Sequence, residues 1–300
     1  MTTAVTRRVK TIAELVRIEH TVFNLPFAYL GMFVAAHGWP TWSQFLWITA
    51  AMFGARTAAM AMNRLFDAEI DAKTPRTRNR HIPAGLVARK DVWALIGISL
   101  VLLLLAAFNL NPLAVKLFPL AVLTIAIYSF TKRFTWLCHV WLGLSVAWAP
   151  FGAYVAVAGK VTLESLVLAL IITLWNAGFD IPYATQDMEA DRVNGVYSIP
   201  ARFGLPRSLL FARLFHLGVV AATLAFGFAG GFWSGINPLH FTLSGWVYLA
   251  GWVMVAALLH VEHSLISPDD MSRLGTAFFD VNGYVSLGYF LFTAAAVVLK

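Results

Sequence analysis

The chain has 300 residues, of which 59% are hydrophobic and only 12% are charged, and its net charge is +7. A soluble domain has about 25% charged residues, so this composition excludes a soluble globular protein and indicates an integral membrane protein. The single cysteine, Cys138, excludes an intrachain disulfide and a cysteine-based metal cluster.

The N-terminal residues 1–19 are polar, and no small-residue cleavage site follows the next apolar stretch, so we expect a cytoplasmic segment rather than a cleaved signal peptide. Apolar runs of about the length needed to cross a bilayer then recur along the chain. They lie at roughly 20–37, 42–63, 91–109, 112–130, 136–157, 162–182, 208–230, 240–261 and 277–299. This pattern predicts an all-α integral membrane protein with nine transmembrane helices, in a single domain over residues 1–300.

The basic residues are distributed asymmetrically between the two sides of the predicted membrane domain. With the N-terminus in the cytoplasm, eighteen of the 22 Lys and Arg residues lie on the cytoplasmic side. Lys116, Lys160 and Lys300 lie on the other side, and Arg56 lies inside the second segment. The positive-inside rule therefore predicts this orientation. The same rule accounts for the basic patches, so they do not indicate nucleic-acid binding.

The first acidic motif follows the second apolar segment. Asn63, Asp67 and Asp71 are spaced at i, i+4 and i+8, which places them along one face of a helix. Carboxylate oxygens one turn apart are ligands that Mg²⁺ prefers, together with water and substrate phosphate. A solvated helix end with capping acids is the alternative for any single pair of this kind.

A second acidic motif follows the sixth apolar segment and repeats the spacing with Asp187 and Asp191. Asp180 and Tyr183 fall on the same helical face, seven and four residues before Asp187. The two motifs hold seven of the 15 acidic residues of the chain. Ionisable residues at a membrane edge are functional candidates, so we expect two half-sites that face one cavity. Pro182 either bends the helix here or marks its end.

Basic residues flank both motifs, and a diphosphate is the ligand that such cations would stabilise beside Mg²⁺. Lys73 and Arg76 follow the first motif, and Arg192 and Arg202 follow the second. The residues closest to apolar helix ends are the preferred candidates for diphosphate binding, and they are Arg78, Arg80, Lys132 and Arg133.

Arg56 lies two turns deeper than Asn63 on the same helix face. An unpaired arginine at that depth costs about 2.5–3.5 kcal/mol on insertion scales. We expect it either to bind a substrate carboxylate or to pair with Asp180 or Asp280.

Aromatic residues also cluster before the second motif. Trp175, Phe179 and Tyr183 lie on its helix, and Trp148 lies on the helix before it. Aromatic faces attract cations, so these residues could shield an allylic carbocation, although ordinary helix packing is the simpler explanation for any one of them. The eight histidines form no convincing transition-metal set, and we expect the segment 260–263 to lie at a solvated interface.

Three motifs together resemble the UbiA superfamily of intramembrane aromatic prenyltransferases. They are Asn63-x-x-x-Asp67-x-x-x-Asp71, Tyr128-x-x-x-Lys132 and Asp187-x-x-x-Asp191. The segments 17–27 and 197–204 extend the resemblance, which runs from about residue 12 to the C-terminus. It implies nine helices around a central cavity that opens sideways to lipid.

The resemblance also implies a role for each motif. Mg²⁺ and the diphosphate of a polyprenyl donor would be held by Asn63, Asp67, Asp71, Asp187 and Asp191. Lys132 and Arg78 would close over the diphosphate, and Arg56 or Arg133 would hold a carboxylate of the aromatic acceptor. From helix phase, Asp180 and Tyr183 would orient the acceptor, together with Tyr128, and Asp180 or the departing diphosphate would take the ring proton.

The acceptor has two candidates. The chain looks most like the 4-hydroxybenzoate polyprenyltransferase group, which serves ubiquinone biosynthesis. Asn63-Arg64 departs from the Asn-Asp pair of many of its members and is closer to a subgroup thought to act on 1,4-dihydroxy-6-naphthoate, on a route to menaquinone. Prenyl transfer to another acceptor of the superfamily is an alternative.

Two other classes of membrane protein also use paired acids. The CDP-alcohol phosphotransferases require Asp-Gly and Ala-Arg within one continuous motif, which is absent here. A cation or metabolite transporter would not need basic residues beside its acids. We expect a prokaryotic inner membrane enzyme, with its active site toward the cytoplasm, and no obligate protein partner is evident.

Overall fold

The computed structural model describes residues 11–16, 19–233, 237 and 240–300, with side chains from Leu25 onward in its first long helix. After a short helix at 11–16, we number the helices α1 to α11. They are Glu19–Ala36, Trp42–Phe66, Ala68–Lys73, Arg89–Phe108, Pro112–Thr131, Cys138–Ala158, Leu163–Ala184, Met188–Asn194, Ile199–Ala229, Leu243–Ser264 and Asn282–Val298. Across these residues the only β-type pairing is an isolated bridge between Ser267 and Asp270.

Eight helical stretches of the described chain are long and apolar enough to span a membrane. They are Trp42–Phe66, Arg89–Phe108, Pro112–Thr131, Cys138–Ala158, Leu163–Asn194, Ile199–Ala229, Leu243–Ser264 and Thr276–Val298. The segment predicted at 20–37 is α1, whose apolar part Leu25–Ala36 is shorter than a full span. The prediction of an all-α integral membrane protein is confirmed, and its nine helices correspond to these eight and α1.

Local sequence sets several helix ends. Thr41 and Gln44 form a capping box at the start of α2, and the Thr162 side chain caps α7. At α5, the Asn111 side chain accepts hydrogen bonds from two backbone N–H groups and Pro112 occupies the first turn. These side chains satisfy N–H groups that have no partner within the helix, which places each helix start.

Glycines bring three helices into backbone contact. A Cβ atom at Gly31 of α1 would lie 2.0 Å from the Pro150 carbonyl oxygen of α6, and one at Gly143 of α6 would lie 2.3 Å from that of Thr173 in α7. Small residues allow such close approach between membrane helices. α6 is therefore held between α1 and α7, and α7 carries the second acidic motif.

Helical regularity breaks near the acidic motifs. Asp67 separates α2 from α3, and the 3₁₀ turn Thr185–Asp187 separates α7 from α8, three residues after Pro182. A π-helical turn, Thr276–Val281, precedes α11. Such turns are frequent at functional sites, and residues of all three line one cavity.

The expectation of a solvated interface at 260–263 is wrong for Glu262. His260 is exposed, but Glu262 is only 1% exposed because the last turn of α10 packs against α9. There His216 Nδ1 lies 2.9 Å from His263 Nε2 and 3.7 Å from a Glu262 oxygen.

Candidate active site

A polar cavity lies where α2 and α7 end. We call it the polar cavity. Its lining includes Arg56, Asn63, Arg64, Asp67, Asp71, Arg76, Arg80, Tyr128, Lys132, His139, Trp175, Asn176, Phe179, Asp180, Tyr183, Asp187, Asp191, Ser198, Phe278, Phe279 and Asn282. Both acidic motifs contribute to it, so the predicted arrangement of two half-sites around one cavity is confirmed.

Asp67 caps the end of α2 and is almost fully buried. Its Oδ2 accepts a hydrogen bond from Asn63 Nδ2 at 2.6 Å and lies 2.7 Å from Lys132 Nζ. Its Oδ1 accepts no hydrogen bond from the described residues and lies 3.6 Å from an Arg133 nitrogen. Burial raises the pKa of the Asp67 carboxyl above its usual range, and Lys132 opposes that shift.

Asp71 is also buried and is bound by a single arginine. Arg80 NH1 donates to both of its carboxylate oxygens, at 2.7 and 2.8 Å. The Thr77 hydroxyl donates to the Asp71 backbone carbonyl at 3.1 Å, which ties the following loop to α3. The loop after α3 therefore holds Arg80 against the Asp71 carboxylate.

The second acidic pair is less buried. Arg76 donates two hydrogen bonds to the Asp187 carboxylate, one of them at 2.8 Å from Nε to Oδ1, and Asp187 raises the pKa of Arg76. Asp191 accepts a hydrogen bond from the Ser198 hydroxyl at 2.9 Å. Arg76 comes from the loop after the first motif, so it links the two motifs directly.

Three of the four paired aspartates therefore lie against Lys132, Arg80 and Arg76. Among the described residues, no three His, Cys, Asp or Glu side chains converge closely enough to hold one ion. The donor set nevertheless fits a hard cation, since four carboxylates line one cavity and Asp67 has a buried oxygen without a hydrogen bond. The same cations are suited to hold an anionic phosphate group.

The other predicted diphosphate-binding residues lie elsewhere. Arg78 is exposed and is not part of the cavity lining. Arg133 donates to the backbone carbonyls of Ser129, at 2.8 Å, and Phe66, so it anchors the end of α5 to α2 beside the cavity. Arg76, which the sequence places among the flanking cations, lines the cavity where Arg78 does not.

A second, apolar cavity adjoins the first. We call it the apolar cavity. It is lined mostly by Ala, Leu and Ile side chains from α2, α4, α5 and α6, and also by Met52, Phe118, Trp148 and Gly152. Arg56, Asn63 and Tyr128 line both cavities. Arg56 forms no ion pair with Asp180 or Asp280, and its buried Nε lacks a hydrogen-bond partner in the described part of the chain. That placement leaves it available for an anion at the junction.

Aromatic rings form one side of the polar cavity. Trp175 and Phe179 have ring centroids 4.7 Å apart, and Tyr183 stacks on Phe278 at 4.0 Å. The Arg76 guanidinium lies over the Tyr183 ring, 5.4 Å from its centroid. The three rings predicted on α7 thus do line the cavity, whereas Trp148 lines the apolar one.

Several lining residues were not predicted. Asn176 lies one turn before Asp180, so the polar face of α7 extends one turn beyond Asp180 toward the start of the helix. His139 binds Asp180, and Phe278, Phe279 and Asn282 come from the π-helical turn and the start of α11. No spacing rule connects these four residues to either motif, because only the packing of α6 and α11 brings them there.

Known proteins share both the sequence pattern and this architecture. The model of the UbiA prenyltransferase family matches residues 24–296. A 4-hydroxybenzoate octaprenyltransferase of Aliivibrio fischeri (strain ATCC 700601 / ES114) is 28% identical over 98% of this chain and 96% of its own length. A 4-hydroxybenzoate octaprenyltransferase of Salmonella paratyphi B is 29% identical over 87% of this chain and 85% of its own length.

Solved structures of the same family have the same fold. The apo structure of a UbiA homologue from Aeropyrum pernix K1 has a TM-score of 0.76 and 29% identity, over 94% of this chain and 98% of that one. A UbiA homologue from Archaeoglobus fulgidus bound to GPP and Mg²⁺ has a TM-score of 0.71 and only 15% identity, and the match covers 96% of this chain and 99% of that one. The chain therefore belongs to the UbiA prenyltransferase family, and it is an integral membrane prenyltransferase.

Proposed function

We propose that this enzyme transfers a polyprenyl group from a polyprenyl diphosphate to an aromatic hydroxy acid, in a Mg²⁺-dependent reaction of ubiquinone or menaquinone biosynthesis. One observation carries the proposal: a cavity with two acidic pairs and their cations adjoins an apolar cavity at Arg56, Asn63 and Tyr128. A polyprenyl diphosphate has a charged head that suits the polar cavity and an apolar tail that suits the apolar cavity. The relatives named as 4-hydroxybenzoate octaprenyltransferases support the same reaction class.

The diphosphate would lie in the polar cavity. Arg76, Arg80 and Lys132 would bind its oxygens, beside the side chain of Asn63, while Arg78 and Arg133 would add charge from outside the lining. Asp67, Asp71, Asp187 and Asp191 would hold Mg²⁺, the ion bound by a homologue of the same fold. When bound, Mg²⁺ supplies positive charge to the leaving group.

The acceptor would lie between the aromatic rings and Arg56. The guanidinium of Arg56 has a buried nitrogen without a hydrogen-bond partner in the described chain, so a carboxylate of the acceptor would satisfy it. Tyr128 and Tyr183 would flank the ring, and Asp180 would face it from α7. Trp175, Phe179 and Phe278 line this space with apolar rings, which would keep water away from a carbocation.

The residues then perform the steps in sequence. Arg76, Arg80 and Lys132 stabilise the charge that builds on the diphosphate as the allylic carbon–oxygen bond breaks. The aromatic ring attacks the allylic carbon, and a new carbon–carbon bond forms. A base removes the ring proton, which restores aromaticity. The products are the prenylated acid, diphosphate and one proton.

Two acceptors remain in competition, 4-hydroxybenzoate and 1,4-dihydroxy-6-naphthoate. The Arg64 of the Asn63-Arg64 pair is buried, and its Nε lies 3.4 Å from the Leu15 carbonyl oxygen. It therefore ties the N-terminal helix to the site rather than presenting a carboxylate there. The resemblance of the Asn63-Arg64 pair to the subgroup thought to act on 1,4-dihydroxy-6-naphthoate supports the second acceptor.

For location, we propose the inner membrane of a prokaryote, with the N-terminus and the polar cavity on the cytoplasmic side. Eighteen of the 22 Lys and Arg residues would then lie in the cytoplasm, as the positive-inside rule requires. Prenyl donor and product would both stay in the lipid phase, and only the acceptor would come from water.

An acceptor panel tests the function. Detergent-solubilised enzyme is incubated with geranyl or farnesyl diphosphate, Mg²⁺ and each acceptor, and products are identified by mass spectrometry. We expect product from one of the two acceptors and its complete loss in EDTA, with recovery when Mg²⁺ is restored. Equal product in EDTA would contradict the metal requirement. Absence of product with both acids, in folded enzyme that binds the diphosphate, would contradict the proposed acceptor class.

A further inference from the structure

We infer that His139 is a positioning residue that fixes Asp180 as the base for the ring proton, an inference that rests on the proposed prenyl transfer to an aromatic ring. His139 lies in the first turn of α6 and is 3% exposed. Its Nδ1 lies 2.7 Å from Asp180 Oδ2 across the cavity wall.

The contacts of the imidazole assign its tautomer. The backbone N–H of Ile199 donates to His139 Nε2 at 3.4 Å, which requires a lone pair on that nitrogen. The ring proton of a neutral imidazole then sits on Nδ1 and points at Asp180. Since Ile199 begins α9, the orientation of the ring is set by the junction of two helices rather than by a surface side chain.

Asp180 and Asp191 differ from the other acids of the polar cavity in their partners, and Asp191 is held by the Ser198 hydroxyl. Asp67, Asp71 and Asp187 each form an ion pair with a lysine or arginine. Within the described residues, Asp180 has no Lys or Arg within 4.0 Å, and its side-chain hydrogen bond is with His139. A carboxylate paired with a Lys or Arg cannot readily accept a proton, whereas Asp180 is held only through the His139 imidazole.

The second oxygen of Asp180 is open to the cavity. Oδ2 is held by His139, while Oδ1 forms no hydrogen bond with the described residues and is not among the buried atoms that lack a partner. The side chain is 22% exposed and lines the polar cavity. A single hydrogen bond to Oδ2 therefore aims Oδ1 toward the space where the acceptor ring would lie.

The proton step follows from this geometry. The ring carbon bonds to the allylic carbon while the allylic carbon–oxygen bond breaks, and the positive charge moves to the ring. Asp180 Oδ1 then accepts the proton from that ring carbon, and the C–H electron pair returns to the ring. Diphosphate leaves as the anion, and the proton passes from Asp180 to water after product release. His139 keeps its own proton on Nδ1 throughout.

Three variants and a ring-deuterated acceptor test the inference. The acceptor carries deuterium at the carbon that becomes prenylated, and rates are compared with the unlabelled acid. For His139→Leu we expect kcat to fall about 10²-fold, the size of effect that misplacing a catalytic group causes. The KM for the prenyl diphosphate should stay within about twofold, because the variant touches no diphosphate-binding residue. Asp180→Asn should lose about 10²–10⁴-fold in kcat.

The isotope effect separates a role in proton removal from a merely structural one. In both variants the slowed proton transfer should limit the rate, so a primary isotope effect appears that the unaltered enzyme lacks. His139→Gln can donate to Asp180 and accept from Ile199, so it should restore most of the activity and remove the isotope effect. Thermal unfolding and prenyl diphosphate binding confirm that each variant is folded.

Three results would overturn the inference. Full activity in His139→Leu would exclude a positioning role. A loss of activity without an isotope effect would show that His139 and Asp180 do not act on the ring proton. A His139→Gln variant as defective as His139→Leu would indicate that the imidazole itself relays a proton. If the unaltered enzyme turns over no aromatic acid, the proposed function is wrong. The ¹⁵N resonances of His139 then still test the assigned tautomer, and a proton on Nε2 would contradict that assignment.

Discussion

Single carboxylates at a membrane edge are the residues on which the proposed reaction depends most directly. Asp67 is 1% exposed, yet it is surrounded by Asn63, Lys132 and Arg133. Burying an isolated charge is costly, so each acid is retained with a partner. In the proposed reaction, Lys132 would move to a phosphate oxygen when the diphosphate binds, and Asp67 would then be free to hold Mg²⁺.

Asp67→Asn and Asp187→Asn should each reduce turnover by about 10²-fold or more, as loss of a charge-stabilising group does. Glu69→Gln and Glu189→Gln are matched controls in the same two motifs, because these side chains are 82% and 73% exposed. Both controls should keep near-normal turnover. Product formation with Mg²⁺ and thermal unfolding are measured for all four variants. Near-normal turnover in either Asn variant would remove that aspartate from the active site.

At the scale of elements, the loop after α3 decides which cations reach the cavity. Its backbone forms helix-like turns, with the N–H of Arg78 bonded to the Thr74 carbonyl and that of Ala84 to the Arg80 carbonyl. Residues four apart then share a face, while the residue midway between them points away. Arg76 and Arg80 therefore line the cavity and Arg78 does not.

Arg76→Ala should weaken prenyl diphosphate binding or turnover by about 10–100-fold, the effect of losing hydrogen bonds to a charged group. Arg78→Ala should change either quantity by no more than about twofold, since its side chain is exposed outside the lining. Saturation kinetics for geranyl diphosphate measure both variants. A larger loss in Arg78→Ala would mean that the loop rearranges over the diphosphate and brings Arg78 inward.

At the scale of the whole molecule, the two cavities divide the donor between them. The polar cavity lies at the end of α6 that carries His139, and the apolar cavity extends along α6 to Val155 and Ala156. Gly152 lies thirteen residues beyond His139, about 20 Å along the helix. A side chain added there meets nothing within 4 Å, because it enters the apolar cavity.

Gly152→Phe should therefore fill the distal part of the apolar cavity. We expect long polyprenyl diphosphates to lose most of their activity, while geranyl diphosphate, whose short tail ends before this point, is turned over within about twofold of the normal rate. Gly97→Phe adds the same volume on an exposed face of α4 and serves as the control. Donors of increasing length are compared at saturating acceptor. An equal loss for short and long donors would show that the tail does not follow this cavity.

The sequence by itself determined the membrane class, the two acidic faces, and the helical spans to within a few residues, except that α9 begins at Ile199 and not at 208. These follow from local rules, since hydropathy and the 3.6-residue period depend only on neighbours along the chain. The same rules favoured Arg78 over Arg76, because distance from a helix end does not reveal the phase of a loop.

Only the tertiary structure decided which side chains complete the site. His139 reaches Asp180 because Gly143 lets α6 approach α7, and Phe278 reaches Tyr183 because a π-helical turn rotates the start of α11. Glu262 is buried for the same reason, through the packing of α10 against α9. These contacts join residues 41 to 111 positions apart, such as His139 with Asp180 and Arg76 with Asp187. Helix packing sets them, and no periodicity within one segment encodes it.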